Sequence, residues 1–359
     1  MGQALVKRVA LLLLVACGHS AGHERKHDAS IAVAPPPPDA EVLPVLPPAP
    51  PLPALPVGLP PLPADLPAIT PDEVALGELL FYDPRLSHHG KLACVSCHDP
   101  HHDYTAPAYP PPLTDGAVEN ARAPMPLTNL AYWKAFGWDG KYATIADALR
   151  AHVVGQLGDE LPVALRERIL LRPIYRAHFA RVGGDSSDAA IRALSAFVLT
   201  RYAGSSEWDS IEAETTVEKG KLATLPSVVG YQLFMGRAGC AHCHPPPLYT
   251  DFGYHAVHGN PHGDPGHARV DPSAQAGAMA TTSLRGAADH VIRFHAGETR
   301  DLATVCSWYA YVGSQSGARQ GMDPLLDNVK LSPAQCAPIV AFLNALVGAP
   351  VDPTPPQLP

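Results

Sequence analysis

The pattern Cys-x-x-Cys-His occurs twice in this chain, and no other feature constrains its fold as strongly. The two copies are Cys94-Val-Ser-Cys97-His98 and Cys240-Ala-His-Cys243-His244. This pattern is the attachment signal for c-type haem, in which the two thiols form thioethers with the vinyl groups and the histidine ligates the iron. The two copies therefore predict two covalently bound c-type haems.

Two other uses of paired cysteines fit the sequence less well. A zinc ribbon needs two close pairs that form one tetrahedral site, but these pairs lie 146 residues apart. A redox-active dithiol belongs in a setting of alternating strands and helices, and the sequence shows no such alternation. Haem attachment is the interpretation that accounts for both copies.

The overall composition limits the class of protein. The chain has 359 residues, a net charge of −8 and only 26 Lys and Arg residues. It therefore has no basic surface for nucleic acid, and none is expected as a partner. Aromatic and β-branched runs are scarce, which argues against an all-β sandwich and predicts a mainly α protein.

The N-terminus has the pattern of a targeting segment. Lys7 and Arg8 precede an apolar run that is too short to span a bilayer as a mature helix. The run ends at Leu14-Val15-Ala16-Cys17, which resembles the lipobox of bacterial lipoproteins. We therefore predict a lipoprotein-type signal peptide over residues 1–17 and a lipid anchor at Cys17. An ordinary signal peptide is the alternative, and both predict export.

A proline-rich linker is predicted over residues 18–68. Between Ala34 and Pro67 there are 15 prolines in 34 residues and almost no charge. Such a segment cannot form a core and should be extended polyproline II. We expect it to hold the folded part away from a membrane, or to be a disordered tail.

Capping signals predict where the helices begin. Thr70 and Glu73 have capping-box spacing, with Pro71 at the first helical position. Further helices are expected after Thr144, along Ser186–Tyr202, over Ser227–Gly239 and after Ser332, and no strand pair is expected. Pro338 does not fit an ideal helix interior, so it should shift the start of the last helix or kink it.

Four blocks, in order along the chain, resemble a known family. They are LGELLFYDPRLSHHGKLACVSCHDP, APMPLTNLAYWKAFGWDGK, LFMGRAGCAHCHPPPLYTDFGYH and TTSLRGAADHVIRFHAGETRDLATV. Together they resemble the bacterial dihaem cytochrome c peroxidases and MauG-type enzymes, from about Leu59 to Gly348.

The resemblance implies two cytochrome-c-like helical domains that each bind one covalent haem. The N-terminal domain, with the peroxide haem, would be 69–222. The C-terminal domain, with the electron-transfer haem, would be 223–348, followed by a tail over 349–359. His98 and His244 would be the proximal iron ligands of the two haems.

Two further residues acquire roles from the resemblance. Trp138, in GWDGK, would lie between the haems as an electron bridge, although a tryptophan in such a position is more often a core residue. His295 matches a histidine of the family that is near the second haem and needed for function without ligating iron. A turn histidine bonded to the backbone is the alternative for His295.

The chain departs from the family around the first haem. No distal histidine occurs between Asp103 and Pro126, so an open sixth site on the first iron is favoured. The family's distal amide and acid positions fall on Ala148 and Gly158. Gln156 and Glu160 could serve instead if the loop shifts, and Glu160 is the predicted catalytic acid. The family's calcium-binding asparagine is Arg122 here, which puts the inter-haem calcium in doubt.

The second haem's distal ligand falls on Tyr309. The peroxidases have a methionine on the helix after the turn of His295, whereas MauG-type enzymes have a tyrosine, and counting from His295 without a gap reaches Tyr309. An axial phenolate stabilises oxidised iron, so it implies a low-potential haem. The alternative is a core tyrosine, with His290 or Met279 on the iron.

The remaining cysteines and histidines have simpler predictions. Cys306 and Cys336 are left over in an exported chain, so we expect a disulfide between them, with two buried free thiols as the alternative. Most other histidines lie in loops beside glycine or proline and are expected to be solvated. They are His88, His89, His101, His102, His255, His258, His262, His267 and His290.

The resemblance implies an exported dihaem oxidoreductase that reduces hydrogen peroxide. Its electrons would come from a small cytochrome c or a cupredoxin, or, as in MauG, from oxidised residues of a protein substrate. The alternative is a dihaem electron-transfer cytochrome without substrate chemistry, in which both irons would be six-coordinate and indifferent to peroxide.

Overall fold

The computed structural model describes residues 42–108, 122–214, 222–258, 263–315, 321–348 and 353–359. Leu43–Pro359 form one compact unit. The predicted signal peptide, with Cys17, lies outside the described residues. Among the residues that are described, no helix is long and apolar enough to cross a membrane. Residues 353–359 of the predicted tail contain neither helix nor strand.

Helices make up most of the regular structure. In the first half they are α1 Pro71–Tyr82, α2 Ile145–Leu157, α3 Leu161–Ala164, α4 Pro173–Arg181, α5 Ser187–Leu199 and α6 Glu207–Ala213. In the second half they are α7 Pro226–Met235, α8 Leu302–Ser314 and α9 Cys336–Ala345. The prediction of a mainly α protein is confirmed.

The capping signals place the helix starts correctly. The Thr70 hydroxyl accepts from the Glu73 amide, and the Glu73 carboxylate accepts from the Thr70 amide at 3.0 Å. At the start of α2 the Thr144 hydroxyl accepts from the Asp147 amide. At the C-terminal end, Ser332 closes its box in a short 3₁₀ turn, so that α9 begins only at Cys336. Pro338 then falls in the first turn, where its missing N–H has no helical partner to lose.

The prediction that no strands pair is wrong in one place. Tyr254–His255 (β1) and Met279–Ala280 (β2) form a two-residue antiparallel ladder. Neither segment is long enough to show an alternating pattern. The ladder closes the loop between them and places Met279 in the interior.

Two clusters of buried apolar side chains repeat one arrangement. In the first cluster α1 packs on α5, and in the second α7 packs on α9. A glycine lies at each crossing: a Cβ on Gly77 would be 2.0 Å from the Ala193 carbonyl oxygen, and one on Gly230 would be 1.9 Å from that of Pro338. Each pair joins the helix before a Cys-x-x-Cys-His motif to the last helix of its cluster, so the same arrangement occurs twice.

The proline-rich segment is extended but does not stand away from the fold. Residues 43–67 contain no helix or strand, as predicted. The Arg181 guanidinium donates to the Pro47 carbonyl at 2.7 Å, the Tyr132 hydroxyl to Pro60 at 2.6 Å, and the Ser205 amide to Val57 at 2.8 Å. The expected free stalk is therefore wrong for these residues, whose unpaired carbonyls are natural acceptors along the surface.

The predicted disulfide is confirmed. Cys306 in α8 and Cys336 at the start of α9 are bonded, with their Cα atoms 5.6 Å apart. Both are buried in the second cluster. The bond joins α8 to α9, and α9 packs on α7, the helix that precedes the second motif.

Candidate functional site

The first Cys-x-x-Cys-His motif forms a tight turn that presents its histidine. Cys94–Ser96 is a 3₁₀ turn, and the His98 amide donates back to the Cys94 carbonyl at 2.9 Å. The His98 Nδ1 lies 2.8 Å from the Tyr104 carbonyl oxygen, which can only accept, so this nitrogen carries the proton. Nε2 is then unprotonated, which is the state in which a histidine can ligate a metal. Burial lowers the pKa of His98 to about 4, so the ring is neutral.

The second motif repeats this geometry. Cys240–His242 forms the turn, and the His244 amide donates to Cys240 at 2.9 Å. Its Nδ1 lies 2.9 Å from the Tyr249 carbonyl oxygen. Burial again lowers the pKa of the ring. A backbone carbonyl that fixes the tautomer of a ligating histidine is the usual support for such a ligand.

The four motif cysteines suit thioether attachment. All are unpaired and half-buried. Burial raises the pKa of Cys94 and Cys240 to about 12 and that of Cys97 to about 11. Cys94 packs on the first cluster and Cys240 on the second, so the two pairs do not share one tetrahedral zinc site.

A large cavity adjoins the second motif. Its empty volume is about 1620 Å³, including the mouth that opens to solvent. Cys240, Cys243 and His244 line it together with apolar side chains of α7, α8 and α9. A flat apolar macrocycle fits such a cavity, because its ligand, its attachment thiols and its apolar walls are all present. The residues therefore fit a haem at this position.

Tyr309 lines the same cavity as His244. Its hydroxyl has no hydrogen-bond partner among the residues that the structure describes, and burial raises its pKa. Met279 also lines the cavity, from β2. His290, the other alternative ligand, has its Nε2 2.9 Å from the Asp103 carboxylate. Tyr309, Met279 and His290 thus all line the cavity of His244, and of these three His290 is paired with a carboxylate.

Trp138 links the two halves of the chain. It follows Trp133 and Phe136 of the first cluster, yet it lines the cavity of the second motif. The indole Nε1 donates to the Ala123 carbonyl at 2.7 Å, and the Trp138 carbonyl accepts from the Ala280 amide at 2.8 Å. Both ends of the residue are therefore fixed.

His295 lies beside Trp138, with ring centroids 6.4 Å apart. It is buried and lines the same cavity, its carbonyl accepts from the Ala123 amide, and burial lowers its pKa. His258 and Glu298 complete a set in which one ligating atom from each residue lies within 4.8 Å of the others. His295 thus belongs to a partly buried polar cluster, a grouping that spacing along the chain did not reveal.

The predicted distal residues lie on α2 and at the start of α3. Glu160 is exposed at the start of α3, and Gln156 is half-buried on α2. Ala148 is buried, and its carbonyl accepts a hydrogen bond from the His152 Nδ1 at 2.8 Å. His152 was missed in the sequence, although it is close enough to His98 to lower that residue's pKa further. Its signal was a single histidine in α2, which the helical pattern does not distinguish.

Several histidines expected to be solvated have specific partners instead. His255 lies 2.6 Å from Asp323 and 2.8 Å from Asp251, and His258 lies 3.2 Å from Glu298. His267 stacks on Tyr254 at 3.7 Å. The expectation is wrong for these residues and for His290, whose partners other than Asp251 are distant in sequence. His88, His89 and His101 are exposed as expected, and His262 lies outside the described residues.

A mainly helical chain with two identical histidine-presenting turns, one beside a large apolar cavity, defines the class of dihaem c-type proteins. A family model described as di-haem cytochrome c peroxidase matches residues 71–216. The methylamine utilization protein MauG of Methylorubrum extorquens is 30% identical over 301 residues, which cover 81% of this chain and 82% of that protein.

Solved structures agree on the fold. A MauG-like protein associated with microbial copper homeostasis superposes with a TM-score of 0.70 at 22% identity, covering 82% of this chain and 95% of that one. The diheme peroxidase BthA from Burkholderia thailandensis has a TM-score of 0.62 at 20% identity, covering 86% and 100%. The chain belongs to the di-haem cytochrome c peroxidase and MauG family, and it is an oxidoreductase of that family.

Proposed function

We propose that the chain binds two covalent c-type haems and reduces hydrogen peroxide in the periplasm. The haems would be attached at Cys94 and Cys97 and at Cys240 and Cys243, in cytochrome-c-like domains over 69–222 and 223–348. The observation that carries the proposal is the repeated turn in which His98 and His244 each have Nδ1 held by a backbone carbonyl. The lipobox-like sequence at Cys17 supports export and a lipid anchor.

When bound, the haems supply iron that accepts peroxide oxygen and exchanges electrons. The protein's own residues then have separate tasks. His98 and His244 would hold the two irons, and Tyr309 on α8 would be a further ligand of the second. Trp138, fixed at both its indole and its carbonyl, is the bridge between the two sites. His295 positions that bridge through Ala123.

Reduction of one peroxide consumes two protons and two electrons and releases two waters. Glu160 is proposed to deliver protons on the first-haem side, where its exposure lets it exchange with solvent. The electrons would come from a small cytochrome c, a cupredoxin or residues of a protein substrate. A low-potential second haem with Tyr309 favours the protein substrate, because an ordinary high-potential donor would reduce it poorly.

Mixing the resting holoprotein with one equivalent of peroxide in a stopped-flow spectrometer tests this function. We expect rapid change in the haem spectrum, which returns to the starting spectrum when a donor is added. A pure electron-transfer cytochrome, with both irons six-coordinate, would show no change, and that result would end the enzymatic proposal. Glu160→Gln should slow the change, whereas Glu207→Gln on α6 should leave its rate unaltered.

A further inference from the structure

Arg122 joins two carboxylates that come from distant parts of the chain. Its Nε and Nη2 donate to the two oxygens of Asp264 at 2.7 and 2.8 Å. Its Nη1 lies 2.9 Å from the Asp139 carboxylate. The side chain of Arg122 is 21% exposed, that of Asp264 18% and that of Asp139 5%. Solvent therefore screens these ion pairs only in part.

Each member of this triad adjoins a residue of the site. Asp139 follows Trp138, and Ala123 follows Arg122. Ala123 accepts the Trp138 indole N–H at 2.7 Å through its carbonyl, and its amide donates to the His295 carbonyl. Asp264 lies in the segment where His267 donates to the Asp139 carbonyl at 2.7 Å. The ion pairs therefore join the segments of Ala123, Trp138 and His267, which these hydrogen bonds also connect.

Calcium does not fit between these carboxylates. Ca²⁺ needs six to eight oxygen ligands, but the Arg122 guanidinium already occupies both oxygens of Asp264 and one of Asp139. A second cation, Arg269, lies 4.0 Å from the Asp264 carboxylate. A divalent ion placed here would face the guanidinium at close range, and like charges repel.

We infer that Arg122 is a positioning residue whose guanidinium takes the place of a structural cation and fixes the segment of Trp138 without calcium. The lock is the set of ion pairs that Arg122 forms with Asp139 and Asp264. A planar guanidinium suits this task because it binds one carboxylate through two parallel bonds and keeps a third N–H for another. The lock is covalently part of the chain, so it is present at any calcium concentration. The role of the Trp138 bridge rests on the proposed function, whereas the lock itself does not.

The first test uses the wild-type holoprotein dialysed against EGTA and titrated with CaCl₂. We expect no saturable heat of binding in a calorimeter, and the same melting temperature in EGTA and in excess calcium. A calcium ion bound only by the folded state would raise the folding constant about 100-fold at 100 times its Kd. Saturable binding with such a rise would overturn the inference.

The second test uses hydrogen exchange in Arg122→Gln, which keeps a polar side chain but loses the charge. Peptides covering residues 122–126, 138–142 and 263–267 should exchange on the order of 10-fold faster than in the wild type. Arg85→Gln is the matched control, because Arg85 has similar exposure and pairs with the buried Asp83 at 2.6 Å. It should speed exchange around residues 83–87 only.

Neither test measures peroxide turnover, so failure of the lock and failure of the proposed function are distinguishable. Unchanged protection at residues 138–142 in Arg122→Gln would overturn the inference, as would equal loss there in Arg85→Gln. If Arg122→Gln does not fold, Arg122→Lys replaces it, because one ammonium keeps the charge but not the paired geometry. Partial loss of protection at residues 138–142 would support the inference, whereas unchanged protection there would contradict it.

Discussion

Single side chains decide what each site can do. His98 and His244 have the same tautomer because each Nδ1 meets a carbonyl a few residues ahead. That contact could be anticipated, since it lies within the turn that the motif itself forms. The partners of His258 and His290 could not, because Glu298 and Asp103 are brought to them by the tertiary fold.

Tyr309 ligation predicts a specific spectroscopic change. Tyr309→Phe removes the phenol that shares a cavity with His244, so the electron paramagnetic resonance signal of the second haem should change. Its potential should rise by on the order of 0.1 V, within the range of about 0.8 V that axial ligands span. Tyr311→Phe is the control, because Tyr311 lies on the same helix and is 63% exposed. An unchanged signal in Tyr309→Phe, with a changed one in Met279→Leu, would move the ligand to Met279.

The ion pair between Arg122 and Asp264 also predicts that the stability of the fold depends on pH. Arg122 lowers the pKa of Asp264 to about 2 from an ordinary 3.8. A depressed folded-state pKa stabilises the fold above about pH 3.8, and this contribution is lost as pH falls through about 2. In Arg122→Gln the midpoint of acid unfolding, followed by circular dichroism, should therefore move to higher pH. Arg150→Gln, whose partner Asp188 is exposed, should leave the midpoint unchanged, and an equal shift there would refute the assignment.

At the scale of helices, local sequence signals determine where a helix begins, whereas long-range packing determines which helices pair. Thr70, Thr144 and Ser332 predicted the starts of their elements because a cap depends on residues within one turn. The pairing of β1 with β2 was not predictable, since two-residue strands have no period. The crossings of α1 with α5 and of α7 with α9 depend on glycines whose purpose is visible only once the helices meet.

These crossings predict the cost of adding a methyl group. Gly77→Ala and Gly230→Ala would each place a Cβ about 2 Å from a carbonyl oxygen of the facing helix, so the helices must separate. Each should destabilise the fold by about 1–3 kcal/mol, which is measurable as a lower melting temperature. Gly155→Ala on α2 is the control, because nothing lies within 4 Å of its added Cβ, and it should be neutral or stabilising. Equal melting temperatures in all three variants would contradict the close packing.

At the scale of the whole molecule, the helical class and the disulfide were predictable from the sequence. Each rests on a covalent or local rule. The path of residues 43–67 was not predictable, because their backbone carbonyls accept hydrogen bonds from side chains that are distant in sequence, such as Arg181 and Tyr132. The buried Arg285 shows the same effect, since it pairs with Asp209 at 2.8 Å and also donates to the Gly58 carbonyl. Proline composition describes the local conformation of such a segment but not what it packs against.

The central claim is that each Cys-x-x-Cys-His motif carries its own covalent haem. Intact-mass measurement of the denatured protein, produced in a host that attaches c-type haem, tests this most directly. The wild type should carry two haem masses, and Cys94→Ser with Cys97→Ser, or Cys240→Ser with Cys243→Ser, should each leave one. A wild-type mass without haem, accompanied by stoichiometric zinc in the native protein, would contradict the account.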